Sequence, residues 1–186
     1  MSDSSDKITK GTWMHKCISD AANKCIGIDI NEAGIDLLKE KYAYQNVYYN
    51  DLLNQNLLPE IISSSWDIIF LGEILEHVNN PVLFLQSIHQ KYGPYIKSIV
   101  ITVPNAFRSE NFIGAIKNRE VINSDHRYWF TPYTLSKILV LAGFKNPKLS
   151  LVSSMPITDR GPLHRFLLRK KPMFRDTLLV EACFFD

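Results

Sequence analysis

Short apolar runs alternate along this chain with segments whose apolar residues recur at helical spacing. Four of the runs are typical of buried β-strands, and they span residues 25–30, 47–49, 66–71 and 98–103. The third lies in the stretch WDIIFLGEILEHV, where Gly72 ends the run and two carboxylates and an imidazole follow at once. Ligands of open α/β sheets bind at the carboxyl ends of the strands, so this stretch indicates a functional site.

The segments between these runs are predicted to be helices. Apolar residues recur at helical spacing over residues 12–23. Asn31, Asn80-Pro81 and Thr131-Pro132 are typical helix starts, because Asn and Thr side chains cap a helix and Pro fits its first turn. Strands that alternate with helices in this way predict an α/β fold with a mostly parallel sheet and helices on both faces.

The carboxyl-terminal part of the chain departs from this alternation. Residues 149–152 and 177–184 are the last two strand candidates, and no helix is predicted between them. We therefore expect them to form an antiparallel edge of the sheet. The chain is predicted to be a single domain over residues 1–186, with a polar tail at 1–11 and a basic insertion at 155–176 before the last strand.

Composition narrows the class of protein only modestly. Of the 186 residues, 46% are hydrophobic and 22% are charged, which is ordinary for a globular domain. A net charge of +2 argues against a nucleic-acid partner, and no apolar run is long enough to span a membrane. The three cysteines have no CxxC spacing, which favours reduced thiols and a cytoplasmic location over a disulfide framework or a zinc site.

An ordered set of motifs resembles the class I S-adenosylmethionine-dependent methyltransferases. The matching residues are CIGIDI followed by Asn31, the acid Asp51 after a short strand, WDIIFLGEILEHVNNP, SIVITVPN, and DHRYWFTPYTLSKILVLAGF. The resemblance covers about residues 12–184 and is closest to the ubiquinone-biosynthesis-type O-methyltransferases, in which a similar E-x-x-E-H follows a strand. It implies a Rossmann-like fold, S-adenosylmethionine as cofactor, and methyl transfer to a small-molecule or glycan acceptor, with oxygen as the favoured acceptor atom.

The resemblance also implies a set of cofactor-binding residues at the ends of three strands: Asp29, Ile30, Asp51, Leu52, Gly72 and Glu73. Asp29 is placed to accept hydrogen bonds from both ribose hydroxyls, although it also fits a helix-capping or turn role. Asp51 and Leu52 would lie beside the adenine, and a plain turn aspartate is an equally good interpretation of Asp51. Gly72 and Glu73 would line the pocket near the sulfonium and the acceptor.

One part of the methyltransferase pattern is missing from the sequence. The family's first strand and Gly-rich loop should precede the first helix, but MSDSSDKITKG is neither a strand nor rich in Gly. Three explanations remain open. The chain is a fragment or starts at an internal codon, another segment or a partner chain (a second copy included) completes the sheet, or the protein is an inactive methyltransferase-like scaffold.

Methyl transfer to a hydroxyl is helped by a general base, and the candidate catalytic residues are Glu73, His77 and His126. Glu73, Glu76 and His77 would share one face of a helix, and that face has ligands suited to a divalent cation. The favoured interpretation is architectural: Glu76 and His77 belong to the loop after the strand, His77 bonds to backbone, and no metal is assigned. His126, in an aromatic loop, is either a base or an anchor for that loop.

The basic insertion holds a cluster of cations mixed with apolar residues: His164, Arg165, Phe166, Leu167, Leu168, Arg169, Lys170, Lys171 and Arg175. Such a cluster is suited to an anionic acceptor, such as a phosphate-bearing lipid-linked sugar, or to nucleic acid. The favoured alternative is a solvated face whose long side chains cover apolar surface.

Overall fold

A computed structural model describes residues 13–185, which divide into two compact units between Leu58 and Pro59. The predicted polar tail at 1–11 lies outside the described residues. The missing first strand and Gly-rich loop concern the same residues, so that prediction also lies outside the described part of the chain.

The first unit is a short α/β segment with one parallel strand pair. Its elements in chain order are α1 (Met14–Ala21), β1 (Gly27–Asp29), α2 (Glu32–Tyr42) and β2 (Val47–Tyr49). Gly27 lies opposite Val47 and Asp29 opposite Tyr49, so both strands end at the same edge. Asn31 caps α2 as predicted, because its side-chain oxygen accepts a hydrogen bond of 3.0 Å from the Gly34 N–H.

The second unit is built on a four-stranded sheet in the order β3-β4-β6-β5. Its strands are β3 (Trp66–Gly72), β4 (Ile96–Pro104), β5 (Lys145–Val152) and β6 (Thr177–Cys183). The pair β3 and β4 is parallel, whereas β6 is antiparallel to both of its neighbours. The parallel pairing with an antiparallel carboxyl-terminal edge confirms the predicted Rossmann-like α/β class.

Five α-helices accompany this sheet: α3 (Pro59–Ile62), α4 (Pro81–Tyr92), α5 (Ser109–Ile116), α6 (Pro132–Leu141) and α7 (Pro162–Lys170). The starts of α4 and α6 are as predicted. The Asn80 side chain accepts from the Leu83 N–H, and Thr131 forms a reciprocal capping box with Thr134. Gly143 ends α6 with a φ of 102°, a left-handed conformation that favours glycine.

The basic insertion at 155–176 folds into helical structure. Two 3₁₀ turns, Ile157–Asp159 and Pro172–Phe174, flank α7. The sequence analysis did not predict this helix, nor α3 and α5. No helix in residues 13–185 is long and apolar enough to cross a membrane.

The hydrophobic core of the second unit lies between the sheet and its helices. Most of its fully buried side chains come from β3, β4, α4, α6 and β6, and one comes from the residue after β6: Leu71, Ile99, Ile101, Leu85, Ile88, Tyr92, Leu135, Leu139, Leu178 and Phe184. His89 joins this core through its Nε2 atom, 2.8 Å from the Phe184 carbonyl oxygen. The packed core holds the carboxyl ends of β3 and β4 in fixed positions, and the candidate site of this unit lies there.

Candidate functional site

The first unit brings the ends of β1 and β2 together. The Asn50 N–H donates to the Asp29 carbonyl oxygen at 3.1 Å, directly after the last paired residues. Asp29 is exposed, and one of its carboxylate oxygens accepts from the Asn31 N–H at 2.8 Å. The carboxylate keeps further acceptor capacity, because an ionised carboxylate has about four lone-pair sites. Ile30, next to it, is 70% exposed and offers an apolar surface at the same edge.

Asp51 is engaged by the turn that follows β2. One carboxylate oxygen accepts from the Leu53 N–H at 2.9 Å and the Asn54 N–H at 3.1 Å, and the other accepts from Asn54 Nδ2 at 2.9 Å. These bonds are those of a turn aspartate, which is the alternative given in the sequence analysis. Leu52 is half-buried beside it.

In the second unit, the chain turns sharply where β3 ends. The Glu73 N–H still continues the sheet by donating to the Thr102 carbonyl oxygen at 3.0 Å, but Glu73 itself has a φ of 54°. A left-handed conformation is costly for a residue with a side chain, so the surrounding structure must hold it. The following 3₁₀ turn, Leu75–His77, is anchored by the fully buried Leu75. Glu73 and Glu76 therefore do not share a helical face as predicted.

Glu76 is the most unusual side chain of this region. It is 0% exposed, and within residues 13–185 neither of its carboxylate oxygens has a hydrogen-bond partner. Burial, reinforced by the nearby Glu73 carboxyl, raises the pKa of Glu76 to about 7. Desolvation also raises the pKa of the Glu73 carboxyl, although that residue is more accessible. A buried carboxyl without partners is costly unless a proton or a cation neutralises it.

Two histidines face this carboxyl. Nε2 of His77 lies 3.8 Å from Oε1 of Glu76, and Nε2 of His126 lies 4.0 Å from the same oxygen. The His77 and His126 rings meet edge to face, with centroids 4.7 Å apart. Nδ1 of His77 lies 3.1 Å from the Asp125 carbonyl oxygen, which orients its Nε2 toward Glu76. The predicted backbone bond of His77 is thus confirmed.

The loop that carries His126 is held in place by its neighbours. The Arg127 N–H donates to the Glu76 carbonyl oxygen at 2.8 Å, and the Arg127 guanidinium donates to the His77 carbonyl. Tyr128 donates to the Asn79 carbonyl at 2.7 Å. Within residues 13–185, Nδ1 of His126 is buried without a hydrogen-bond partner, and the ring contacts those of His77 and Trp129.

The pKa of His126 is shifted downward. Burial is the main cause, and the neighbouring His77 and Arg108 lower the pKa further. The ring is therefore neutral near pH 7 and has a free nitrogen that can accept a proton or bind a metal ion.

Glu76, His77 and His126 form a set that can hold a divalent cation. Each offers one ligand atom, and these atoms lie within 4.8 Å of one another. One observation fits a cation at this position: within residues 13–185, the buried carboxylate oxygens of Glu76 accept no hydrogen bond. One carboxylate and two imidazoles are a common ligand set for Mn²⁺, Fe²⁺ or Zn²⁺. The sequence analysis assigned no metal and grouped Glu73, rather than His126, with Glu76 and His77.

Two further residues escaped the sequence analysis. Thr102 lies opposite Gly72 in the sheet and is buried, and its side chain acts to lower the pKa of the nearby Glu73 carboxyl. Asn105 is fully buried, donates to the carbonyls of Met173 and Arg175, and accepts from the Phe107 N–H. The motif SIVITVPN contains both residues, but a strand pattern alone does not show which polar groups are buried.

The sequence of this chain is similar to that of one known protein family. The sequence model of a protein family described as "Methyltransferase domain" matches residues 10–149. No curated protein sequence matches the chain.

Solved structures with a similar fold include several methyltransferases. A S-adenosylmethionine-dependent methyltransferase from Archaeoglobus fulgidus is 20% identical with a TM-score of 0.55, over 94% of this chain and 81% of that chain. The small RNA methyltransferase HEN1 is 15% identical with a TM-score of 0.57, over 84% and 20%. Magnesium protoporphyrin IX methyltransferase from Synechocystis PCC 6803, with bound S-adenosylhomocysteine, is 13% identical with a TM-score of 0.54, over 90% and 67%.

Proposed function

This chain belongs to the methyltransferase domain family, with S-adenosylmethionine as cofactor, and from that membership we propose that it methylates a hydroxyl oxygen of a small-molecule or glycan acceptor. The observation that carries the proposed chemistry is the group formed by the buried Glu76, which follows β3, and the partly exposed His77 and His126. A hydroxyl must lose a proton when it is methylated, and this group contains a neutral imidazole beside a carboxyl.

The cofactor supplies a methyl group that the positive sulfonium already activates. Asp29 would accept hydrogen bonds from the ribose hydroxyls, and Ile30 and Leu52 would contact the adenine. The exposed carboxylate of Asp29 and the exposed side chain of Ile30 fit these roles. The fit of Asp51 to the adenine amino group is weaker, because its turn already supplies three donors.

Gly72 and Glu73 are proposed to line the pocket at the methyl group. Gly72 has no side chain, so the backbone at the end of β3 stays accessible to a ligand. The left-handed turn at Glu73 points the chain away from the strand and supports a functional role, since such strain persists where the structure over-determines it.

His126 is the preferred base. Its lowered pKa keeps the ring neutral near pH 7, so that it can take the proton of the acceptor hydroxyl. The Glu76 carboxyl, 4.0 Å away, would stabilise the imidazolium that results. His77 and Glu73 are the other candidates, and the bond from Nδ1 of His77 to the Asp125 carbonyl leaves Nε2 of that ring available as an acceptor.

A divalent cation is a second way for the same residues to act. Held by Glu76, His77 and His126, it would polarise an acceptor hydroxyl and lower the pKa of that hydroxyl. In that case Glu76 would be ionised and both histidines neutral, and Glu73 would be the remaining base near the site.

The proposed range of acceptors extends beyond the small molecules and glycans expected from the sequence. One structural relative is a small RNA methyltransferase and another acts on a porphyrin, so the argument against nucleic acid finds no support. A non-catalytic role as a partner or scaffold is the alternative function, and a partner chain or second copy that completes the sheet belongs with it. A cytoplasmic location is proposed as well, because the odd number and the spacing of the three cysteines in the sequence favour reduced thiols.

Titration with S-adenosylhomocysteine tests the proposal. A folded chain that binds it with a micromolar Kd supports the enzyme, and a folded chain that does not bind it supports the scaffold. Purified protein incubated with radiolabelled S-adenosylmethionine and a panel of hydroxyl-bearing sugars, phenols and oligoribonucleotides then identifies the acceptor. His126→Asn should abolish transfer while it leaves S-adenosylhomocysteine binding unchanged, which separates the base from the cofactor site.

A further inference from the structure

The outward face of α7 carries two large apolar side chains among cations. Leu163 is 83% exposed and Phe166 is 60% exposed, and their spacing of three places them next to each other on the helix surface. Lys170, one turn beyond Phe166, and Arg169 are also exposed. The opposite side of the helix is anchored by the buried Leu168. Leu163 and Phe166 therefore face outward, because the side of α7 that is buried is the one that carries Leu168.

The charged residues of the segment that contains α7 have one sign. The segment 160–175 contains six Arg and Lys residues and no carboxylate. Arg160 pairs with Glu110 and Asp176, and Arg175 donates to backbone carbonyls. Within residues 13–185, the other four form no ion pair: Arg165, Arg169, Lys170 and Lys171. The solvated-face interpretation of the sequence analysis requires these side chains to cover apolar surface, but Leu163 and Phe166 remain uncovered.

Helix α5 extends the same surface. Ser109 Oγ of α5 lies 2.9 Å from His164 Nε2 of α7, and the Phe112 ring lies 5.9 Å from the ring of Phe174 in the turn after α7, so α5 contacts both α7 and the turn that follows it. Phe112 and Ile116 of α5 are 57% and 66% exposed. A groove of about 470 Å³ lies between α5 and the turn after α7, and its lining is almost wholly apolar: Ala106, Phe107, Asn111, Phe112, Ala115, Met173 and Phe174.

We propose that this face docks on a lipid bilayer that carries anionic headgroups. The α5–α7 surface is defined here as Phe112, Ile116, Leu163, Phe166, Arg169, Lys170 and Lys171. Leu163 and Phe166 enter the boundary between headgroups and acyl chains, and the cations pair with lipid phosphates around them. A bilayer presents acyl chains and anionic headgroups at neighbouring depths. This arrangement matches the α5–α7 surface, where the exposed side chains of Leu163 and Phe166 lie near cations that form no ion pair within residues 13–185. This docking is separate from methyl transfer and does not depend on it.

Vesicle co-sedimentation of the whole chain tests the proposal. We expect binding to vesicles of phosphatidylcholine mixed with phosphatidylglycerol, little binding to phosphatidylcholine alone, and weakening as salt is raised. Leu163→Glu combined with Phe166→Glu should reduce the partition coefficient at least about ten-fold, because two apolar contacts are lost and two like charges are added. Leu83→Glu on α4, another exposed leucine, is the matched control and should leave binding unchanged.

Three results would overturn the proposal. Equal binding to both kinds of vesicle, or none, excludes recognition of anionic headgroups. A stable dimer that Leu163→Glu dissociates assigns the surface to a second copy of the chain. Binding of an oligoribonucleotide that is lost in Lys170→Glu but unaffected by Phe166→Glu assigns the cations to nucleic acid. Circular dichroism of each variant shows that it is folded, and S-adenosylhomocysteine titration of the same samples keeps this test distinct from that of the methyltransferase.

Discussion

Nε2 of His126 lies 4.0 Å from the buried Oε1 of Glu76, although the two residues belong to segments that are far apart in the sequence. One hydrogen bond from the Arg127 N–H and one from its guanidinium hold the two segments together, so the distance does not depend on a direct bond between the side chains. At this distance we expect protonation of Glu76, its replacement or a bound cation each to change the properties of the histidine.

Stability should fall as pH rises through the titration of Glu76. Its folded-state pKa of about 7 exceeds the usual 4.5, so the folded protein keeps a proton that the unfolded chain releases. The free energy of unfolding therefore decreases between about pH 4.5 and 7, by on the order of 3 kcal/mol from this group. Urea unfolding with a chelator should show the decrease. Glu76→Gln should remove it, whereas the exposed Glu181→Gln should not; an unchanged slope in Glu76→Gln contradicts the assignment.

A divalent cation should raise the thermal stability of the folded chain. Binding to the folded state alone stabilises it by mass action, and Glu76 supplies no ligand while it is protonated, so the effect should grow from about pH 6 to 8. Differential scanning fluorimetry with Mn²⁺, Zn²⁺ and Mg²⁺ against a chelator measures the shift in Tm. His126→Asn should abolish the shift, and His164→Asn, an imidazole outside the group, should retain it. Equal shifts in both variants would place the ion elsewhere.

Asp29→Ala should weaken the binding of S-adenosylhomocysteine by about ten-fold or more, since two hydrogen bonds from ribose hydroxyls to a charged group are lost. Isothermal titration calorimetry gives the Kd directly. Asp36→Ala, an exposed acid of α2 in the same unit, is the control. If the affinity is the same in both variants, the nucleoside does not bind at the end of β1.

Asn105→Ala should destabilise the chain by roughly 2–4 kcal/mol, because it leaves two carbonyls and one N–H buried without partners. Asn105→Asp keeps the acceptor for the Phe107 N–H but loses both donors, so it should also be destabilised, and more so as the carboxyl ionises. Urea midpoints measure both variants. If the free energy of unfolding of Asn105→Ala changes by less than about 0.5 kcal/mol, the Asn105 side chain does not hold β4 to the segment 173–175.

Removing the capping box of α6 should cost about 1 kcal/mol. Thr131 accepts from the Thr134 N–H at 3.1 Å, and the Thr134 hydroxyl accepts from the Thr131 N–H at 2.9 Å. The variants Thr131→Ala, Thr134→Ala and the double variant form a cycle that urea denaturation can quantify. Because the two bonds are reciprocal, the double variant should lose less than the sum of the single losses. Strict additivity would contradict cooperation between them.

The sequence predicted those elements that local physical chemistry determines. The strand at 47–49 has the predicted bounds, and Asn31, Asn80 and Thr131 cap the helices as expected, because an apolar run or a capping side chain acts within a few residues. Helix α7 was not predicted, although Leu163, Phe166 and Leu167 recur at the i, i+3, i+4 spacing of an amphipathic helix.

The site was only partly predictable for a different reason. The sequence shows that Glu76 and His77 follow a strand, but the approach of His126 depends on the loop bonds of Arg127 and Tyr128. Likewise, the spacing of Glu73, Glu76 and His77 suggested a shared helical face, and the left-handed turn at Glu73 removes it. The periodicity of apolar residues does not show that a single residue has an unusual φ. The left-handed conformation of Glu73 is therefore visible only in the structure.

The strand order β3-β4-β6-β5 has a consequence for how the chain reaches its native state. Within residues 13–185, β5 pairs only with β6, which is made after it, and β4 lacks one neighbour until β6 arrives. During synthesis on the ribosome, β5 must therefore wait with unpaired backbone until residues 177–183 have left the exit tunnel. Pairing β6 with β4 also closes a loop across most of the second unit, which is slow in folding. The nascent chain should thus be most prone to aggregation just before β6 emerges from the ribosome.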